Sequence, residues 1–236
     1  MKKIIIIATY NEVDNISLLL KEIMASVNSD VDILIIDDNS PDQTYLLVES
    51  MQSNYDNLFL IKRSGKMGLG SAYIAGFHWA LEHNYDYILH MDADFSHHPR
   101  YINDMFANMD HYDLVLGSRY IKGGKVVNWS LKRKIISKGG NIYAKLLLGL
   151  PIKDLTGGFK CFNARVLKSI GIDSLIAKGY AFQIETTFKA YLHQFKILEL
   201  PIIFEDRRVG QSKMSSNIFS EAVLMVLKLK LLKKKI

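Results

Sequence analysis

The segment Tyr87-Ile88-Leu89-His90-Met91-Asp92-Ala93-Asp94 is an apolar run that ends in two aspartates. Its first five residues are mostly apolar and have the length of a buried strand, so Asp92 and Asp94 are expected at the carboxyl end of that strand. Carboxylate oxygens suit Mg²⁺, which usually keeps positions for water or substrate phosphates. An Asp-x-Asp pattern by itself is weak evidence, so its meaning depends on the rest of the chain.

A second acidic pair, Asp37-Asp38, follows another apolar run, Val31–Ile36. In open α/β sheets, ligands bind in the crevice beyond the carboxyl ends of the strands. Two acidic strand ends therefore predict a metal-assisted site for a phosphate or a nucleotide.

Strand and helix signals alternate along the first half of the chain, which predicts an α/β fold with a mostly parallel central sheet flanked by helices. The predicted strands are Lys3–Ala8, Val31–Ile36, Leu58–Ile61, Tyr87–Met91 and Asp113–Gly117. The predicted helices between them are Glu12–Val27, Tyr45–Met51 and Ala72–His83.

The second half does not continue this alternation. It contains a loop, a long basic helix and a glycine turn that enters a short strand. We predict these segments at Tyr120–Asn128, Trp129–Leu148 and Thr156–Phe159, then a helix at Ala181–Leu192 and a strand at Lys196–Phe204. No flexible linker separates the halves. We therefore expect one catalytic domain over residues 1–215, and a basic amphipathic C-terminal helix over 216–236 that is not a separate domain.

The C-terminal helix has two interpretations. Ser216 or Asn217 can cap it, and apolar residues recur along it before the final lysines Lys233-Lys234-Lys235. It can pack on the core, with the lysines favoured by the helix dipole, or lie on an anionic lipid surface. The sequence leaves both open.

Composition limits the classes of protein. The chain has 236 residues, 49% of them apolar, and its single cysteine, Cys161, excludes an internal disulfide framework. No run approaches the ~18 apolar residues of a spanning helix, and Ile4–Ala8 is too short for a signal peptide's apolar region. We expect a cytoplasmic protein, peripheral on the cytosolic membrane face: the endoplasmic reticulum in a eukaryote, the plasma membrane in a prokaryote.

The net charge of +6 is the sum of an acidic first half and a basic second half. Residues 1–113 hold 7 Lys/Arg against 17 Asp/Glu, whereas residues 114–236 hold 23 against 7. An acidic half suits a metal, and a basic half suits phosphates or an anionic surface. No nucleic-acid-binding motif accompanies the basic residues, so we expect no nucleic-acid partner.

The glycine loop Gly65–Gly70 precedes a helix, so a phosphate cradle has to be tested. A dinucleotide fingerprint requires glycine where Tyr73 stands, and a P-loop requires lysine where Ser71 stands. We therefore expect neither, and assign the glycines to backbone conformation at a helix start.

Taken together, the motifs resemble dolichol-phosphate mannose synthase, an inverting glycosyltransferase family with the GT-A (Rossmann-like) fold, over residues 4 to about 227. The motifs that carry the resemblance are Thr9–Glu12, Asp37–Asp42, Gly68–Gly70, Met91–Pro99, Gly117–Tyr120, Leu131–Ser137, Asp154–Phe159 and Asp206-Arg207 with Gly210–Lys213.

The resemblance implies transfer of mannose from GDP-mannose to dolichyl (polyprenyl) phosphate with inversion, as in protein glycosylation, using Mg²⁺ or Mn²⁺. It implies contact with a membrane surface, and a small transmembrane partner subunit is one route to that contact. Two alternatives remain open: a polyprenyl-phosphate glucosyl- or hexosyltransferase that uses a UDP-sugar, and a non-catalytic subunit that binds nucleotide or a lipid surface.

The resemblance also assigns roles to residues. The metal ligands would be Asp92 and Asp94, with Ser96 uncertain, and the acceptor phosphate would lie near Arg133 and Ser137. Catalytic roles would fall to Asp92, Asp94, Arg119 and Arg207. The nucleotide sugar would contact Tyr10, Glu12, Ile36, Asp38, Asp92, Ala93, Asp94, Arg119, Arg207 and Lys213.

Two departures from the family pattern, Ala8 and Gln43, concern loop geometry. Structural alternatives also stand: Arg119 as a surface residue, Arg207 and Lys213 as solvated charges, and Tyr10 and Glu12 as the start of a helix. We expect His97 and His98 to shape the turn before Pro99 rather than to bind metal.

Overall fold

The computed structural model describes residues 1–28, 30–177, 179, 181–206 and 216–232. The described strands are β1 (Lys3–Thr9), β2 (Val31–Asp37), β3 (Leu58–Lys62), β4 (Tyr87–Asp92), β5 (Leu114–Ser118), β6 (Lys125–Val126), β7 (Lys160–Asn163), β8 (Ile197–Pro201) and β9 (Ile203–Phe204). The described helices are α1 (Val13–Ser26), α2 (Thr44–Gln52), α3 (Leu69–Glu82), α4 (Ile102–Ala107), α5 (Leu131–Leu148), α6 (Ala164–Ile170), α7 (Ala181–Leu192) and α8 (Ser216–Leu232).

Seven strands form the central sheet, in the order β3-β2-β1-β4-β7-β5-β8. Neighbours are parallel except at β7, which runs antiparallel to both β4 and β5. Cys161 lies in the middle of β7, paired with Leu89 on one side and Val115 on the other. The strand β7 therefore joins the acidic half of the sheet to the basic half.

Helices cover both faces of the sheet, which explains why β1 reads as a continuous apolar run. Ile5 and Ile7 face one core with residues of α1, α2 and α4, whereas Ile4 and Ile6 face the other with α3, α6 and α7. All four isoleucines are buried. The predicted α/β fold with a mostly parallel, helix-flanked sheet is confirmed.

The C-terminal helix packs on the protein along one side. Val226 and Leu229 are buried in a third apolar cluster with Ala144 and Leu148 of α5 and Phe188 of α7. The other side leaves leucines of α8 exposed: Leu224, Leu227 and Leu231. Packing on the core is thus shown for one face, and the lipid interpretation concerns the opposite face.

Three predicted segments differ in detail from the structure. The predicted strand Lys196–Phe204 is divided into β8 and β9, and β9 leaves the main sheet to pair with β6, which lies inside the predicted loop. The basic helix begins at Leu131, where the Ser130 side chain accepts from the Arg133 backbone N–H, rather than at Trp129. Neither α4 nor α6 was predicted.

The glycine loop has the predicted structural role. Gly68 precedes α3 with φ +97°, a conformation that L side chains rarely adopt. Within the described residues, no helix combines the length and apolarity needed to cross a membrane.

Candidate active site

Strand register brings the predicted donor-binding residues together at the carboxyl ends of neighbouring strands. Ala8 of β1 pairs with Ile36 of β2 on one side and with Asp92 of β4 on the other. Parallel neighbours lie about 4.8 Å apart, so Ile36 and Asp92 flank one crevice at the carboxyl ends of three adjacent strands. This is where open α/β sheets bind ligands.

The loop after β4 folds back on its own carboxylates. Asp94 is buried, and its Oδ1 accepts from the Ser96 hydroxyl at 2.6 Å and the Ser96 backbone N–H at 3.1 Å. Phe95, between them, has φ +64°, a strained conformation for a residue with a side chain. Asp92 is more accessible, with about a third of its side chain exposed.

His97 supports this loop as a neutral ring. Its Nδ1 lies 3.0 Å from the backbone nitrogen of Asp92, which donates to it. Burial lowers the pKa of His97 to about 4, although the Asp94 carboxylate partly opposes the shift. The 3.8 Å separation from Asp92 Oδ2 is therefore a contact with a neutral imidazole rather than an ion pair at neutral pH.

His98 caps the short 3₁₀ helix Pro99–Tyr101, since its Nδ1 accepts from the Arg100 backbone N–H at 3.2 Å. Both histidines therefore shape the turn, as predicted. His97 in addition fixes the backbone that carries Asp92.

The second acidic pair divides into two roles. Asp37 is fully buried and accepts hydrogen bonds from the hydroxyls of Thr9 and Ser40, each at 2.7 Å. These contacts tie β1 to the turn after β2, which is a structural task. Asp38 contacts Arg63, with Oδ1 3.0 Å from Nε, and accepts from the Met67 backbone N–H at 3.0 Å.

Tyr10 and Glu12 follow β1 and Asp38 follows β2, so all three lie at the carboxyl end of the parallel strands. The ammonium of Lys66 lies 4.3 Å from the centre of the Tyr10 ring, and Glu12 accepts from the Asn15 amide at 2.9 Å. Glu12 precedes α1 and makes no side-chain capping bond. Their contact with a nucleotide stays a prediction.

Arg119 is buried and bound to Asp154, so it is not the surface residue of the alternative interpretation. Nε and Nη2 donate to the two carboxylate oxygens of Asp154 at 2.7 Å each, and Nη2 also donates to the Thr156 hydroxyl at 2.8 Å. Burial opposes both charges, yet the pairing holds the pKa of Arg119 above its ordinary value and that of Asp154 below. A phosphate would therefore have to approach through Nη1.

A glycine turn packs against the loop after β4, where Phe159 stacks on the His97 ring with ring centres 5.1 Å apart. A Cβ added to Gly158 would lie 3.4 Å from the Gln183 Nε2 atom and 3.6 Å from Asp92 Oδ1. Behind the turn, Lys160 is fully buried and donates from Nζ to the main-chain oxygen of Gln183 at 2.5 Å. Burial lowers the pKa of Lys160 to about 7, partly opposed by Asp154.

Sequence analysis missed Asp154, Gln183 and His90 as residues of this region. Asp154 belongs to a motif that carries the family resemblance, but only Thr156–Phe159 is predicted as a turn, and nothing in the residue spacing indicates that Asp154 pairs with Arg119. Gln183 and His90 lie on α7 and β4, where the sequence pattern predicts only a helix and a buried strand.

The predicted acceptor residues lie on α5. Arg133 forms an ion pair with Asp206 at 2.8 Å, and its guanidinium lies 4.0 Å from the centre of the Trp129 ring. Ser137 accepts from the Tyr120 hydroxyl at 2.8 Å. The predicted ligands Arg207 and Lys213 lie outside the described residues.

The oxygen ligands at the carboxyl end of β4 suit a hard divalent cation. Asp92 and Asp94 supply carboxylates, and the Ser96 hydroxyl lies beside Asp94. No cluster of three or more His, Cys, Asp or Glu side chains that could hold a metal occurs within the described part of the chain. Two carboxylates fit a cation whose remaining positions are filled by substrate phosphates and water.

Comparison with known proteins assigns the class. Residues 4–171 match the family described as Glycosyl transferase family 2. The match covers more than half of the chain, and the chain belongs to this family of glycosyltransferases.

Two curated relatives match nearly end to end. An undecaprenyl-phosphate mannosyltransferase of Micrococcus luteus is 41% identical over 226 residues, which is 96% of this chain and 93% of the relative. A polyprenol monophosphomannose synthase of Mycolicibacterium smegmatis is 39% identical over 227 residues, covering 95% and 85%.

Solved structures share the fold at low identity. Glucosyl-3-phosphoglycerate synthase of Mycobacterium tuberculosis, in complex with Mn²⁺, UDP and glucosyl-3-phosphoglycerate, has a TM-score of 0.70 at 15% identity, covering 97% of this chain and 80% of that one. The same enzyme with Mg²⁺ and UDP also has a TM-score of 0.70 at 15% identity, with coverage of 97% and 79%.

Proposed function

We propose that this protein transfers a mannosyl residue from a nucleotide sugar, GDP-mannose, to a polyprenyl phosphate such as dolichyl phosphate. The observation that carries the proposal is identity near 40% with two polyprenyl-phosphate mannosyltransferases over at least 95% of the chain. The acidic strand edge and the basic second half agree with it, because the reaction brings a diphosphate and a phosphate together.

The acceptor supplies its own nucleophile. An oxygen of the polyprenyl phosphate attacks the anomeric carbon of the sugar, and the bond from that carbon to the nucleoside diphosphate breaks. The second pKa of a phosphate monoester is near 6, so the nucleophile is already ionised at pH 7 and no general base is needed. Attack opposite the leaving group converts an α-linked donor into a β-linked product.

We assign the donor site to the carboxyl ends of β1, β2 and β4. Tyr10, Glu12, Ile36 and Asp38 would contact the nucleoside, and the backbone at Ala93 would approach the diphosphate. Asp92 and Asp94, with Ser96, would hold Mg²⁺ or Mn²⁺. When bound, the cation would stabilise the negative charge that develops on the leaving diphosphate.

We assign the acceptor phosphate to the side of the site nearer α5, beside Arg133 and Ser137. The ion pair with Asp206 limits the angle at which Arg133 can meet a phosphate. Arg119, held by Asp154, supplies a fixed positive charge between the two anions, and we place Arg207 and Lys213 in the same role.

We propose that the protein meets the membrane through α5 and α8. The two helices contact each other, since the Tyr143 hydroxyl donates to the main-chain oxygen of Val223 at 3.2 Å. Exposed apolar side chains lie beside exposed lysines, the composition of an interfacial helix surface. The apolar side chains are Leu131, Ile135, Ile142, Leu146, Leu224, Leu227 and Leu231, and the lysines include Lys132, Lys134 and Lys138.

One assay tests the reaction and the donor together. Purified protein is incubated with polyprenyl phosphate, Mg²⁺ and either radiolabelled GDP-mannose or radiolabelled UDP-glucose, and label in the organic extract is counted. Label from GDP-mannose alone supports the proposal. Label from UDP-glucose alone favours the hexosyltransferase alternative.

Absence of label from either donor contradicts catalysis by this chain alone. The same assay repeated with membranes then separates a requirement for a membrane partner from a non-catalytic role.

A further inference from the structure

The side chain of Gln183, at the start of α7, presents a buried donor. Only 1% of the residue is exposed, and its Nε2 has no hydrogen-bond partner among the described residues. Buried amide groups in proteins are nearly always hydrogen-bonded, so such a donor is suited to a ligand. The site already described makes no use of it.

Neighbouring residues hold this amide in one orientation. Oε1 of Gln183 lies 3.2 Å from His90 Nε2 and, as an amide oxygen, accepts from it. The imidazole stacks on Tyr73, with ring centres 4.3 Å apart. Since Oε1 is held by His90 and the main-chain oxygen by Lys160, the direction of Nε2 is fixed.

The Nε2 atom lies next to Gly158, close to Asp92 of the candidate active site. The position of an added Gly158 Cβ is 3.4 Å from Nε2, 3.4 Å from His97 Cε1 and 3.6 Å from Asp92 Oδ1, so a donor and an acceptor lie beside the same glycine. Asp92 Oδ1 also accepts from the Tyr73 hydroxyl at 3.3 Å. A sugar hydroxyl suits such a pair, because it accepts from the amide while it donates to the carboxylate.

We infer that Gln183 is a specificity residue whose amide donates to a hydroxyl of the transferred hexose, beside Gly158. This inference rests on the proposed hexose transfer and names the part of the donor that the region recognises. A neutral amide orients a hydroxyl, whereas the phosphates of the donor are matched by cations such as Arg119.

Two substitutions remove the donor in different ways. Gln183→Glu keeps the shape of the side chain and the acceptor toward His90, and Gln183→Met keeps the volume alone. Each is measured on the full chain for the dissociation constant of GDP and for kcat/KM with GDP-mannose. Gln52→Met is the matched control, because Gln52 bonds to the main-chain oxygen of Leu58 at 3.0 Å, far from the site along the sheet.

We expect both variants to bind GDP within about twofold of the wild type and to lose about 10- to 100-fold in kcat/KM with GDP-mannose. A series of GDP-deoxymannoses then locates the hydroxyl. The loss should shrink to about twofold with the one analogue that lacks the hydroxyl bound by Gln183, and persist with the others.

Gly158→Ala supplies an independent arm. The added methyl group makes ordinary contacts with Gln183, His97 and Asp92, so the fold should persist while the methyl blocks the approach of the hydroxyl to Nε2. We expect GDP binding to be kept and KM for GDP-mannose to rise about tenfold.

Several results would overturn the inference. They are unchanged kinetics in Gln183→Glu, an equal loss of GDP affinity, which would assign the amide to the diphosphate, or a loss that is the same for every deoxy analogue. Failure of the proposed function looks different, because the wild type itself would then give no mannolipid. If the wild type uses UDP-glucose instead, the same variants are tested with UDP-deoxyglucoses.

Discussion

The acidic first half and the basic second half of this protein place their functional side chains by different means. In residues 1–113, the site residues follow strand ends, and the parallel register of β1, β2 and β4 aligns them. In residues 114–236, Arg119 and Arg133 are oriented by ion pairs with Asp154 and Asp206, which lie 35 and 73 residues further along the chain.

Substitutions should therefore act differently in the two halves. In the acidic half, Asp92 and Asp94 are positioned by the strand ladder and the loop that follows it, so removal of either carboxylate should change chemistry more than stability. The basic half derives its geometry from side-chain pairs, so removal of one partner should change stability as well.

The largest effect should come from Asp94→Asn. The substitution keeps the shape of the side chain and an acceptor for Ser96 but removes the charge proposed to hold the cation. We expect mannolipid synthesis to fall by about 10³-fold with little change in the unfolding midpoint. Radiolabel transfer and urea unfolding measure the two quantities.

Asp56→Asn, on an exposed turn of the same half, is the control and should keep full activity. Transfer at the wild-type rate by Asp94→Asn would contradict the division and show that the carboxylate at position 94 is not needed for catalysis.

The next effect concerns the buried pair. Asp154→Asn leaves Arg119 charged and buried without its partner, so we expect a loss of about 3–5 kcal/mol in the free energy of unfolding. Asp206→Asn breaks a pair in which about a third of each side chain is exposed, and the cost should be about 1 kcal/mol or less. Urea denaturation of both variants compares them, and equal losses would show that burial does not separate the two pairs.

Lys160 predicts a dependence of stability on pH. Its pKa is lowered to about 7 in the folded protein and lies near 10.5 when unfolded. Between these values the unfolded chain binds one more proton, so stability should rise with pH by about 1.4 kcal/mol per pH unit from this group.

The measurement is the free energy of unfolding of the wild type and of Lys160→Met at pH 7, 8 and 9. The difference between the two proteins should move in favour of the wild type as the pH rises. A difference that stays constant would show that the buried amine carries its charge throughout this range.

The smallest effect should be at the membrane. Leu146 on α5 and Leu18 on α1 are both exposed leucines, one in each half. We expect Leu146→Ser to weaken binding to anionic vesicles by about tenfold and Leu18→Ser to leave binding unchanged, as measured by sedimentation. Equal binding by all three proteins would assign membrane contact to another surface or to a partner.

Point substitutions suit this test better than truncation. Leu229, inside the C-terminal helix, is buried against α5 and α7, so removal of the helix end would disturb the core together with any lipid contact.

Much of the acidic half follows from its sequence. Two apolar runs of strand length, each followed by aspartates, predict strands with acidic carboxyl ends, and the rule for ligand position in open sheets then locates the crevice. The glycine at position 68 likewise predicts the positive φ that the structure shows.

The basic half follows less well because its contacts are long-range. No periodicity indicates that β9 pairs with β6, or that Asp154 meets Arg119. The burial of Gln183 also escapes a sequence pattern, because an amide on an amphipathic helix ordinarily faces solvent.

The strand β7 also carries a thiol whose reactivity reports opening of the central sheet. Cys161 is fully buried at its centre, and burial raises the pKa of the thiol well above its ordinary value. The thiol is unreactive as long as the ladders to β4 and β5 stay closed. Cys161 is the single cysteine of the chain, so alkylation of the native protein labels this site alone. The labelling rate therefore reports the opening of β7 from β4 and β5.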